Sequence, residues 1–170
     1  MLVETRRFGP VERVEVPAAQ LYDVFPGLGG FEEHHSYAVI TDADSPVEWL
    51  QATGDPAIVF ALLEPFVFVP DYAFEMADAD AVALGLQQPE DAVVRVILTL
   101  RESASEITAN LLAPVVLNPQ TRLARQIVLQ DTSLPLRYPV MAALQATAPA
   151  AVRVEAETAD AIEAQQVHAA

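Results

Sequence analysis

The chain has no cysteine and no lysine among its 170 residues, a single tryptophan, and no arginine between Arg13 and Arg95. Without cysteine there can be no disulfide framework, thiolate zinc site or cysteine nucleophile, and the composition suits a reducing compartment. A cytoplasmic location is therefore expected. Long hydrophobic runs are also missing. Glu4, Arg6, Arg7, Glu12, Arg13 and Glu15 leave no space for the apolar centre of a secretory signal in the first twenty residues. The apolar-rich stretches at 58–63 and 93–100 fall short of the roughly 20 residues that a spanning helix needs. The sequence thus predicts a soluble protein with no membrane partner.

What is abundant is apolar side chain and negative charge. Apolar residues make up 52% of the chain, and this length buries roughly 70% of the unfolded surface in one domain. All nine cationic side chains are arginine, against 24 acids, for a net charge of −15. Fifteen of those acids lie between Arg13 and Arg95, from Glu15 to Asp91. A surface of one sign repels nucleic acid, so direct RNA or DNA binding is not expected. The same field would speed encounter with a cationic protein by roughly 10 to 1000-fold at low salt. The plain alternative is a solvated acidic coat that keeps an apolar-rich chain in solution.

Short segments of alternating β-branched and aromatic residues, separated by proline, glycine and acidic turns, predict a mostly β protein. The clearest is 92–101, where Val94, Val96, Leu98 and Leu100 share one face. Further strands are expected at 11–16, 21–25, 37–41, 48–52, 57–63, 72–76, 107–112, 115–118 and 123–130. A short aspartate-capped helix is expected at 80–86 and another at 140–145. So many short strands imply a small antiparallel β-barrel or sandwich-like body, because closure removes exposed edges. The division is a β-domain over 1–144 and an Ala/Glu-rich tail over 145–170, disordered or partly helical.

Catalytic chemistry finds few carriers. His34 and His35 are adjacent, so in a strand they would face opposite ways and in a loop they would be solvated. No serine has a histidine and acid arranged with it, and no Gly-x-Ser-x-Gly elbow occurs. Asp42 with Asp44, and Asp78 with Asp80, have the spacing of paired carboxylates but no EF-hand pattern. Gly27, Gly29 and Gly30 lack the helix and Gly-Lys-Ser/Thr that a phosphate cradle requires, and instead mark tight turns. No catalytic residue, metal ligand or cofactor site is assigned, and the chain is read as a non-enzyme. The competing reading is a ligand-binding β-barrel or a carboxylate-dependent hydrolase, which calls for a sizeable cavity or converging acids.

Several strings occur in a definite order, and the first, residues 25–32, reads Phe-Pro-Gly-Leu-Gly-Gly-Phe-Glu. Next come Glu48-Trp49-Leu50-Gln51-Ala52 with Asp55-Pro56, then Phe60-Ala61-Leu62, Pro65-Phe66 and Pro70-Asp71-Tyr72. Asn110-Leu111-Leu112-Ala113-Pro114 with Val115-Val116-Leu117-Asn118, and Arg125-Gln126-Ile127-Val128-Leu129, complete the series. In order and spacing these strings resemble the FliW family of flagellar assembly factors, and 25–32 is similar to that family's glycine-rich segment but one residue shorter. The resemblance implies a cytoplasmic, mostly β protein that binds flagellin and also binds CsrA, the RNA-binding repressor of flagellin translation. Export of flagellin would then free the protein to hold CsrA and relieve repression.

At the level of residues, Phe25, Leu28, Phe31, Trp49, Leu50 and Phe60 are expected in the core. Asn110 and Asn118 are expected to satisfy backbone groups at strand ends. Asp71 and Tyr72, following a proline in a loop, are the first candidates for partner contact. Glu32 and Glu33, beside the glycine turn, are the next, as electrostatic contacts.

Overall fold

A computed structural model describes residues 1–131 and 133–147. Eleven strands and two helices are formed among them: β1 (Leu2–Thr5), β2 (Glu12–Glu15), β3 (Leu21–Val24), β4 (Ser36–Thr41), β5 (Glu48–Ala52), β6 (Val59–Leu63), α1 (Asp78–Leu84), β7 (Val93–Thr99), β8 (Thr108–Ala109), β9 (Val115–Asn118), β10 (Leu123–Gln126), β11 (Tyr138–Pro139) and α2 (Val140–Thr147). The order β7-β6-β5-β4-β3-β10-β9 returns to β7, so seven strands close into a barrel. The neighbours run antiparallel except at one joint, where β10 pairs in parallel with β3 through Leu123↔Asp23 and Ala124↔Val24. β8 and β11 branch from the far half of β7, and β1 with β2 form a separate hairpin.

Three apolar clusters explain why the barrel strands carry so little polar alternation. Val24, Tyr37, Leu50, Leu62, Val115, Leu117 and their neighbours fill the lumen. Outside it, the hairpin, the chain after β6 and α2 cover Ala38, Ile40, Trp49, Ala61 and Val96. On another outer face α1 covers Val116, Ile127 and Leu129 with Leu84. Strands buried on both faces read as near-continuous apolar runs, as Tyr37, Ala38, Val39 and Ile40 do in β4.

The mostly β expectation holds, and closure decides between barrel and sandwich. Three expected strands are corrected. Segment 72–76 alternates like a strand but joins no ladder. The strand expected at 107–112 shrinks to β8, because Asn110 Oδ1 accepts the N–H groups of Leu112 and Ala113 and bends the chain. The strand expected at 123–130 stops at Gln126. Beyond it Ile127 and Leu129 donate to the carbonyls of Pro114 and Leu112, but Pro114 has no N–H to return and Asn110 already holds the next ones. Conversely β1 was not foreseen, since its alternation hides Thr5 as well as Val3. α2 runs past the expected 144/145 boundary to Thr147, and the rest of the expected tail lies outside the described residues.

Candidate functional site

The glycine-rich connection between β3 and β4 closes one end of the barrel. Gly27 has φ +116°, and a Cβ there would stand 2.7 Å from the Glu32 backbone, so this turn accepts only glycine. Leu28 drops into the lumen and Phe31 lies edge-on to Phe60 with ring centres 5.1 Å apart. Gln126 Oε1 accepts the Gly29 N–H at 2.9 Å and ties the turn to β10. With Leu28 and Phe31 turned inward, the connection presents Glu32 and Glu33 outward. Glu32 Oε1 accepts the Gly30 N–H at 2.8 Å, and this bond holds its carboxyl below the usual value. Glu33 is 3.7 Å from His34 Nε2 and is mostly exposed. Phe25, expected in the core, is instead 67% exposed and lies against His35. β3 ends one residue earlier, so its side chain projects beyond the barrel.

The other candidate pair divides. Asp71 is exposed, in a turn after the short 3₁₀ segment Pro65–Val67. Tyr72 is 5% exposed, and its hydroxyl donates to the Leu111 carbonyl at 2.7 Å. Burial pushes its phenol up to about 12. The expectation of an exposed Tyr72 is therefore corrected: a phenol with an apolar body and an internal carbonyl within reach packs inward even from a loop. Strand polarity also separates the candidates. Glu32 and Glu33 lie on the loop leaving β3, while the chain bearing Asp71 leaves β6 at the opposite end.

One acid of each carboxylate pair noted in the sequence is taken up by structure, while Asp44 and Asp78 are exposed. Asp42 and Glu12 accept hydrogen bonds from Arg7, whose side chain is 8% exposed and whose guanidinium also lies 4.8 Å from the Phe8 ring centre. Asp80 pairs with Arg125 at 2.8 Å, and Glu48 pairs with Arg95 at one mouth of the barrel. Asp42, Asp80 and Glu48 are each held by an arginine distant in sequence, and Asp42 and Glu12 converge only on the Arg7 guanidinium that neutralises them. Asn110 and Asn118 serve backbone groups as expected. Asn118 donates to the Leu84 carbonyl at 2.9 Å and accepts from Gln120 N–H at 3.0 Å.

Two grooves escaped the sequence reading. One, of about 690 Å³, is lined by Phe74, Ile127, Leu129 and Leu134 with Glu75, Asp80 and Asp131 at its margin. The second, of about 640 Å³, is lined by Phe66, Met76, Leu86, Val94 and Glu90 among others. Ala73 and Phe74 belong to both. The sequence signal was the alternation over 72–76, which promised a strand and did not say that nothing would pair with it.

Comparison with known proteins follows the same lines. A family model described as "FliW protein" matches residues 2–140. The flagellar assembly factor FliW of Syntrophus aciditrophicus is 34% identical over 142 residues, spanning 83% of this chain and 88% of that protein. Its counterpart in Bdellovibrio bacteriovorus is 37% identical over 146 residues, spanning 85% and 82%. A crystal structure of the flagellar assembly factor FliW superposes with a TM-score of 0.75 at 28% identity, covering 82% of this chain and 96% of that one.

Proposed function

The chain belongs to the FliW family of flagellar assembly factors, and from that premise we propose that it acts in the cytoplasm by holding other proteins, without catalysis. The partners in this reading are flagellin and CsrA. Flagellin occupies the protein while it accumulates, and its export leaves the protein to bind CsrA and release flagellin synthesis from repression. Such a switch requires overlap of the two sites or a coupling of about 1 to 3 kcal/mol between them.

The observation that carries the reading is where the polar groups lie. The lumen is filled by Val24, Leu28, Tyr37, Leu50, Leu62 and Val115, which leaves recognition to the outside. Outside, the acids not held by arginine include Glu32, Glu33, Asp71 and Glu75, all exposed. An RNA-binding protein offers basic surface, and such acids meet it with complementary potential. Glu32, Glu33 and Asp71 remain the proposed contacts, whereas Tyr72 is buried and anchors only the chain that carries Asp71. A ligand-binding barrel or a hydrolase finds less support: the lumen is packed, and Asp42 and Asp80 serve ion pairs. Among the described residues no helix is long and apolar enough to cross a membrane.

The test is titration of the purified chain with flagellin and with CsrA from the same organism, by calorimetry at low salt. Saturable binding of both, each weakening the other, is expected. Binding of neither at micromolar concentration overturns the proposal.

A further inference from the structure

Residues 73–76 have the side-chain pattern of a strand, and among the described residues no strand lies beside them. Phe74 and Met76 turn inward and are half-buried, while Ala73 and Glu75 are exposed. Phe74 packs on the cluster beneath α1 and against the Tyr72 ring, with centres 5.7 Å apart. The segment is thus fixed by its side chains. Its backbone is not: among the described residues, no hydrogen bond joins the N–H or C=O groups of 73–76 to another part of the chain. In an extended chain these groups point alternately to the two sides. Both edges are therefore open, and the two grooves that share Ala73 and Phe74 border the segment.

The groove of about 690 Å³ has the more specific chemistry. Its floor is apolar, from Phe74, Ile127, Leu129 and Leu134, and its rim carries Glu75, Asp80 and Asp131. Arg125 neutralises Asp80, but no arginine pairs with Glu75 or Asp131 among the described residues. Hydrogen bonds from Ser133 hold the Asp131 carboxyl below its usual value, so it stays charged. An open backbone edge, an apolar floor and an acidic rim are matched together by one kind of ligand. It is an extended peptide with apolar side chains at alternate positions and basic side chains between them.

We propose that residues 73–76 are an acceptor strand, to which an extended basic and apolar segment of a partner protein adds within the acid-rimmed groove. Main-chain hydrogen bonds supply the attachment, and the floor and rim select the side chains. Strand addition is the usual hazard of an unpaired edge, and here Glu75 sits on that edge and admits only a partner of opposite charge. The proposal rests on the protein-binding reading above and adds the surface and the form of the ligand.

The test uses the full chain and a short peptide of alternating lysine and valine, followed by amide hydrogen exchange and fluorescence anisotropy. The peptide is expected to bind saturably and to slow exchange at the amides of 73–76. N-methylation of its alternate amides, or Glu75→Lys with Asp131→Lys in the protein, is expected to weaken binding by about tenfold or more. Both acids are exposed, so the variants keep the fold, and the N-methylated peptide needs no variant at all. Equal binding of the N-methylated peptide, or protection elsewhere on the barrel, overturns the proposal. If flagellin and CsrA bind but 73–76 stay unprotected in both complexes and with the peptide, the acceptor strand is refuted and the partner reading stands. If the peptide docks here and neither protein binds, the acceptor strand stands and that choice of partners falls.

Discussion

Gly27 and Tyr72 show how single residues set the ends of this barrel. At φ +116°, with the Glu32 Cα 2.7 Å from where a Cβ would stand, Gly27 has no tolerable replacement. Gly27→Ala is expected to cost about 1 to 3 kcal/mol through backbone strain and displacement of the Glu32 main chain. Urea unfolding would show it as a lowered midpoint at unchanged slope. Tyr72→Phe removes the bond to the Leu111 carbonyl and keeps the packed ring, so a loss of about 1 kcal/mol is expected. The phenol also gives a pH signature. Burial raises it from 10 in the unfolded chain to about 12 in the folded one, so above pH 10 the unfolded state releases its proton first. Stability should be full below pH 10 and fall as pH rises towards 12. Tyr37, likewise pushed up to about 12 by burial, adds to the fall. Thermal melts of Tyr72→Phe should therefore show a shallower alkaline decline, and an identical slope would contradict the burial of this hydroxyl.

Among the elements, α1 is attached chiefly at its C-terminal end. Gly85 closes the helix in the left-handed conformation, and the Leu84 carbonyl accepts from both Asn118 Nδ2 and Thr121 Oγ1 at 2.9 Å. Asn118 is 1% exposed, and its Oδ1 also accepts the Gln120 N–H. Asn118→Ala should cost about 1 to 3 kcal/mol, because it strips partners from groups that water reaches poorly. Faster amide exchange in α1 than in β4 would locate the damage. The Asn118 role was legible from its place at a strand end. Its partner was not, because 34 residues separate Leu84 from Asn118. The short β8 and the early end of β10 share one cause, the turn that Asn110 builds before Pro114, and alternation alone carries no sign of it.

For the whole molecule the governing quantity is a charge of −15 on a body whose core is entirely covered. Long-range attraction to a basic partner should weaken as salt shortens its reach, which is about 10 Å at 0.1 M ionic strength. The double variant Asp71→Arg with Glu33→Arg is expected to weaken CsrA binding by about tenfold while moving the melting temperature little, since both side chains are exposed. Unaltered affinity in a calorimetric titration would remove both residues from the contact surface. Because they leave the barrel at opposite ends, each single variant should also be measured. A loss confined to one of them would tell which end the partner covers.

The sequence by itself determined the strand-rich class, most strand positions, the turn at Gly27 and the acidic excess. These depend on side-chain period, backbone sterics and composition, which are local or additive. Tertiary structure alone decided that seven strands close through a parallel joint between β3 and β10, that Tyr72 faces inward and Phe25 outward, and that 73–76 finds no strand partner among the described residues. Each of those outcomes depends on where chain segments end and which others lie beside them. A strand carries its alternation in its own sequence, but whether an edge is filled depends on which other segment arrives beside it.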